Sequence, residues 1–191
     1  MEARRPRGPS VRRAAACDLA RTGGEDAPIE IVEYNPAWPT RFAAERERLR
    51  PLLPGAEIHH IGSTAVPGLP AKPVLDLMAL VEDVDAPVAA LIQAGGYQYP
   101  EAFNAMLSRK RWLCRPTAAH RTHHLHLVDD RTELDRHLRF RDRLRASAPL
   151  ADEYARVKRE LAGRFANDRE AYSEAKSAFV RRVETAVRDE F

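Results

Sequence analysis

The chain has 191 residues, 31 of them basic and 28 acidic, for a formal net charge of +3, and 44% are hydrophobic. That length and composition suit one globular domain with its own core plus a tail, and exclude disordered or fibrous classes. No apolar run approaches the ~20 residues of a membrane span, so no membrane association is expected.

Two cysteines, Cys17 and Cys114, are too few for a disulfide framework or a cysteine zinc cluster, and a reducing, cytoplasmic setting is expected. The charge is too small to require a nucleic-acid partner. Lys72, Lys110, Lys158 and Lys176 are the only lysines, leaving 27 arginines among the 31 basic residues. Such a skew looks like codon bias and weakens any single arginine as the mark of a phosphate site.

Residues 1–27 carry Arg4, Arg5, Arg7, Arg12 and Arg13 with Pro6, Pro9, Gly23 and Gly24, and their composition predicts a disordered basic tail. Arg12-Arg13 and the alanines before Cys17 lack the apolar stretch of an export signal. The domain is expected over 28–191. Ile29 to Val32 alternates like a short strand, and Asn35-Pro36 supplies a cap and a first-turn proline. Trp38, Phe42, Leu49 and Leu53 then follow at helical spacing up to Pro51 or Pro54.

Ile58 to Ile61 reads as a strand running into Gly62-Ser63. Val74 to Val81 is a nearly continuous apolar run broken by Asp76, the pattern of a strand buried on both faces. Asp85-Ala-Pro87 opens a short helix with Val88, Leu91 and Ile92, which Gly95-Gly96 closes. Strands are predicted over Arg111–Cys114 and Thr122–Val128. Thr132 with Asp135 looks like a capping box for a helix through Arg145. Two helical stripes follow: Leu150, Tyr154, Val157, Leu161 and Phe165, then Tyr172, Phe179, Val183 and Val187. Strands early and helices late make an α+β chain.

The most informative stretch runs from His59 to Asp76: a strand, a Gly-Ser turn, a Pro/Gly-rich connection, then Lys72 and Asp76. Glycine lets a phosphate approach the backbone, and successive amides after a strand form an anion nest. The Ser63 and Thr64 hydroxyls can donate to phosphate oxygens, and a carboxylate opposite can hold Mg²⁺. An unpaired Asp76 inside an apolar strand would cost several kcal/mol, which favours a site over a chance carboxylate. On a strand, His124 and His126 share one face while Leu125 and Leu127 share the other. Imidazole there can move a proton or ligate a metal, or merely hydrogen-bond a polar sheet face. Arg109, Lys110 and Arg111 form a basic cluster able to neutralise phosphate charge, and Arg141 follows on the next helix. A histidine-triad hydrolase is disfavoured because Val128 stands where its nucleophilic histidine would be.

The run His60-Ile-Gly-Ser-Thr-Ala-Val-Pro-Gly-Leu-Pro-Ala-Lys-Pro-Val-Leu-Asp76 resembles the signature of GrpB-like proteins. So do Tyr34-Asn-Pro-Ala-Trp38, His123-His-Leu-His126, Phe140-Arg-Asp142 and the pattern Tyr154, Lys158, Tyr172, Lys176, together covering roughly residues 29–189. The resemblance implies a nucleotidyltransferase-like mixed β-sheet flanked by helices, with further helices at the C-terminus. In some relatives a similar module is fused to dephospho-CoA kinase, which points to nucleotide or coenzyme chemistry. The wider nucleotidyltransferase pattern carries Asp-x-Asp on the strand after the Gly-Ser turn, with a third acid on a later strand. Here Met78 replaces the second acid, so a standard two-metal clamp is not expected.

The leading expectation is therefore a Mg²⁺-dependent transferase that moves a nucleotidyl or phosphoryl group from a nucleoside triphosphate to an unidentified acceptor. Asp76, His124 and His126 would be catalytic, with Asp76 and His126 as metal ligands. Gly62, Ser63, Thr64, Lys72, Arg109, Arg111 and Arg141 would bind substrate. Two alternatives stay open: a non-catalytic nucleotide or coenzyme sensor, and a histidine-metal hydrolase. The hydrolase would add His59 or His60 and take Zn²⁺ in place of Mg²⁺.

Overall fold

The computed structural model describes residues 28–185; the basic N-terminal tail and Val187 lie outside that range. The elements in chain order are α1 (Trp38–Leu49), β1 (Glu57–Ile61), a 3₁₀ turn (Ser63–Ala65), β2 (Leu75–Leu80), α2 (Val88–Gln93) and α3 (Glu101–Asn104). There follow β3 (Lys110–Pro116), β4 (Arg121–Val128), α4 (Arg131–Ala146), α5 (Ala148–Arg164) and α6 (Arg169–Thr185). Within the described residues this is the α+β arrangement expected, a mixed sheet flanked by helices.

The sheet order is β1-β2-β4-β3. β1 runs antiparallel to β2, β2 parallel to β4, and β4 antiparallel to β3. β2 and β4 are therefore the central strands, and their apolar composition follows from burial on both sides. Leu75, Leu77 and Ala79 of β2 and Leu125 and Leu127 of β4 point to one face. There they pack with Leu113 of β3 against Trp38 and Leu49 of α1 and Leu91 of α2. Each buried leucine among them contributes about 2 kcal/mol by leaving water.

The opposite face is mixed. Ile61, Met78 and Val128 pack against Leu134 of α4. Beside them in register the sheet presents Asp76, His124 and His126.

The C-terminal stripes assemble as expected. Phe140 and Leu144 of α4, Tyr154 and Ala155 of α5, and Phe179 and Val183 of α6 enclose Val66 and Leu69 of the Pro/Gly-rich connection. The three helices thus hold the loop that leads into β2. Lys158, 2% exposed, donates a hydrogen bond to the carbonyl of Pro70.

Two local expectations are corrected and one element is added. Residues 29–32 form no strand: Ile29 N–H donates to Ala166 O and Val32 makes a single bridge with Ala71, because no neighbour offers a longer ladder. The cap of α4 is Asp130, whose side chain accepts from the Thr132 amide at 2.9 Å; an acid two residues upstream reaches that amide first. The short helix α3 was not anticipated. Its Asn104 is buried and reaches β3, where its amide donates to Trp112 O at 2.8 Å and accepts from Trp112 N at 2.7 Å.

Candidate functional site

Asp76 is placed by the pairing of three strands. Its register partners are Ile61 at the end of β1 and His124 on β4. After Ile61 the chain turns at Gly62, whose φ of +70° is a conformation that side chains disfavour. A Cβ built there would lie 2.5 Å from Asp76 Oδ2. The carboxylate therefore rests directly against the bare Cα of the glycine–serine turn, the juxtaposition that the sequence reading required.

Across the parallel pair, His124 Nδ1 donates to Asp76 Oδ1 at 2.8 Å. His126, two residues on, points the same way, and its register partner on β2 is Met78. One ligand atom from each of Asp76, His124 and His126 lies within 4.8 Å of the others, and they are the one such group among the described residues. His124 Nε2 and His126 Nδ1 are buried and have no hydrogen-bond partner. Buried polar atoms are seldom left so. Two imidazole nitrogens beside a carboxylate form a donor set that fits a divalent ion.

Electrostatics prepare two of these groups, Asp76 and His126. Burial would raise the Asp76 pKa, but the hydrogen bond from His124 and nearby positive charge, Lys176 included, hold the carboxyl well below the usual carboxylate range. His126 is driven well below the ordinary histidine value by burial and by the Lys110 charge. At neutral pH the site thus holds an anionic carboxylate and a neutral imidazole, the protonation states that metal ligation requires.

The remaining residues singled out from sequence divide. Ser63 opens the 3₁₀ turn and stays partly exposed. Thr64 is turned inward and is 1% exposed; its hydroxyl donates to Val74 O at 3.3 Å and meets His60 Nε2 at 2.9 Å. It holds the turn in place and has no face toward a ligand. His60 stacks on Phe42 at 4.7 Å on the other side of the sheet, which removes it from any histidine-metal cluster. Arg111 pairs in register with Leu127 and so lies on the face opposite Asp76, where its guanidinium binds Asp85 at 2.6 and 2.8 Å.

Arg109 is exposed and engages Asp129 at 3.0 Å and Asp130 at 3.7 Å. Arg141 donates to Asp142 and to His60 O at 3.0 Å, beside β1. None of these arginines faces the Asp76 cluster in the way first expected. Strand alternation brings forward Lys110 in place of Arg111: it pairs with Val128, on the His126 face, and feels the charge of Asp76.

Two lysines complete the surroundings. Lys72 stands over the ring of Tyr172 at 5.1 Å and Lys176 over the same ring at 5.8 Å. Lys72 was expected at the site. Lys176 was not, although it stands with Tyr172 in the pattern Tyr154, Lys158, Tyr172, Lys176 that carries part of the family resemblance.

A mixed sheet with a His/Asp cluster against a glycine turn, closed by a three-helix bundle, defines an α+β protein with one candidate reaction centre on its central strands. The chain belongs to the GrpB family: the family model, described as GrpB protein, matches residues 28–186. It is similar to the UPF0157 protein PA4798 of Pseudomonas aeruginosa, at 40% identity over 85% of this chain and 69% of that one. It also resembles the UPF0157 protein YqkA of Bacillus subtilis, at 35% identity over 82% of this chain but only 46% of the relative, so it spans less than half of that protein. Among solved structures, the conserved protein GrpB from Enterococcus faecalis superposes with a TM-score of 0.72 at 35% identity, covering 82% of this chain and 96% of that one.

Proposed function

We propose that this protein is a metal-assisted transferase of nucleotidyltransferase type, which moves a nucleotidyl or phosphoryl group from a nucleoside triphosphate to an acceptor. The observation that carries the reading is the Asp76 carboxylate pressed against Gly62 while bonded to His124 at 2.8 Å, with His126 in reach on the same face. Asp76 and His126 would hold a divalent ion, and His124 would either join them or orient Asp76 through its Nδ1–H. The bound ion would neutralise phosphate charge as the bond to the leaving group breaks. The amides of the turn at Gly62-Ser63 and the Ser63 hydroxyl would support the phosphate oxygens. Lys72 would add positive charge.

The donor set bears on the metal. One carboxylate oxygen, completed by water and substrate phosphate, suits Mg²⁺. Two imidazoles beside it favour Mn²⁺ or Zn²⁺. A cytoplasmic setting belongs to the same proposal. Among the described residues no helix is long and apolar enough to cross a membrane.

A second reading has its own support. Met78, 0% exposed, sits with Ile61, Val128 and Leu134, so the place of a second acid is filled by apolar packing. That favours a nucleotide or coenzyme sensor that grips phosphate without transferring it.

The test uses thermal shift with nucleoside triphosphates, with and without Mg²⁺, Mn²⁺ or Zn²⁺, alongside incubation with labelled triphosphates and cell extract. A transferase yields a labelled acceptor, whereas a sensor shifts without turnover. Asp76→Asn is expected to abolish the metal-dependent part of the shift while the chain still folds. A full metal effect in that variant would remove Asp76 from the metal.

A further inference from the structure

Of the four lysines of this arginine-rich chain, Lys72 and Lys176 stand together near Asp76, while Lys110 also pairs with Glu133 at 3.8 Å. Lys72, Lys110 and Lys176 each feel the charge of Asp76, and Lys158 feels that of Lys176. Exposed ion pairs elsewhere use arginine: Arg131 with Glu57, Arg159 with Glu33, Arg182 with Glu153. Composition therefore does not account for the placement. Lys72 and Lys176 bring compact ammonium groups to this site, and Arg169 and Arg121 add guanidinium charge near Lys72.

The geometry narrows what that is. Lys72 comes from the loop before β2 and Lys176 from α6, and they flank one tyrosine ring, Tyr172, at 5.1 and 5.8 Å. Lys158 lies 4.8 Å from the ring of Tyr154 and ties the same loop down at Pro70. The charges acting most on Lys72 are those of Lys176, Asp76, Arg169 and Arg121, so one anion stands among several cations. Crowding has a cost for two of them: burial and the Lys176 charge push Lys72 down to about 8 and Lys158 to about 7, while Tyr154, Tyr172 and Asp76 hold Lys176 above its ordinary value. Like charges brought together from a loop and two helices are stabilised by an anion with several negative oxygens.

We propose that Lys72 and Lys176, flanking Tyr172 and braced by Lys158, form the seat of an oligophosphate chain that reaches Asp76. The inference deepens the transferase reading and rests on it for the direction of the chain: in nucleotidyl transfer the leaving phosphates lie on the lysines and the reacting phosphate at Asp76. It assigns the substrate class as a compound with two or more linked phosphates, nucleotide or coenzyme, and excludes monophosphates as good ligands.

Isothermal titration of the full chain with inorganic tripolyphosphate, pyrophosphate and phosphate at fixed ionic strength tests it. Tripolyphosphate is expected to bind best and phosphate worst. Lys72→Met and Lys176→Met should each weaken tripolyphosphate by roughly tenfold or more, the worth of one charge-assisted hydrogen bond. Arg131→Met and Arg109→Met, which remove equal charge elsewhere, should leave it within about twofold, as expected of exposed charges.

No binding, equal affinity for phosphate, or equal loss in the arginine variants would overturn the seat. Should Lys176→Met fail to fold, Lys72→Met on the loop decides alone, and unchanged affinity there overturns it. Asp76→Asn separates this from the parent reading, because it should lose the metal response yet keep tripolyphosphate. Intact tripolyphosphate binding without turnover in the wild type would sink the transferase and leave the seat standing. Comparing a nucleoside triphosphate with tripolyphosphate then shows whether a base contributes.

Discussion

Gly62 and Asp76 define the site at the scale of single residues. A side chain at 62 meets two penalties: φ of +70° and a Cβ 2.5 Å from the carboxylate. Gly68, at φ +77°, has nothing within 4 Å of its Cβ position and so meets only the first. Gly68→Ala is therefore expected to cost about 1–3 kcal/mol of backbone strain. Gly62→Ala should cost more and also displace Asp76, so that its metal-dependent thermal shift is lost while that of Gly68→Ala remains; equal shifts in the two variants would contradict the coupling. Asp76 and the histidines could be picked out in the sequence because a carboxylate in an apolar strand and paired imidazoles at period two are local signals. The divergence of Ser63 from Thr64 was not legible, since the turn alone decides which hydroxyl faces inward. Nor was the exchange of Lys110 for Arg111, because the face of a β3 residue depends on its register with β4, which is set at long range.

Between elements, a buried acid holds α1 to the far side of the sheet. Glu45 is 3% exposed, accepts from Tyr97 Oη at 2.7 Å, and takes Arg48 at 2.5 and 3.0 Å and Arg115 at 2.5 Å. Burial would raise its pKa, but these donors outweigh it and hold it below the ordinary value. Glu45→Ala would leave two guanidinium groups without their carboxylate, and the expected loss is about 3 kcal/mol. Tyr97→Phe removes one hydrogen bond and should cost about 1 kcal/mol. Urea unfolding of both variants checks the ratio, and comparable losses would show that the arginines find other partners. Helical stripes such as Tyr154, Val157 and Leu161 identified α5 because one face of a helix repeats within a few residues. This network was not visible: Glu45 lies 52 residues from Tyr97 and 70 from Arg115, and nothing local distinguishes it from a solvated acid.

For the molecule as a whole, acidity should act through the buried histidines: His123 and His126 are lowered by burial, and so is His60, which joins β1 to the turn. Burial pushes it down to about 4 from 6.5, with Arg141 and Arg145 acting in the same direction and Asp76 opposing. The unfolded chain then binds more protons than the folded one between those values, so stability is full above about pH 6.5 and falls as the pH drops toward 4. The loss is on the order of 3 kcal/mol for a shift of this size. His60→Gln, which can still bond Thr64, should make the fall of the melting temperature over that range shallower, with His123 and His126, also lowered by burial, keeping the remainder; an unchanged acid slope would remove His60 from it. The amide of Asn104 has a wider consequence. It occupies both main-chain groups of Trp112, while Gln98 occupies both of Cys114. A strand offered by another molecule would find that flank already bonded, so the sheet cannot be lengthened there. Any joining of copies by continuous hydrogen-bonded ribbons must begin at β1, the side from which the histidine cluster is farthest in strand order.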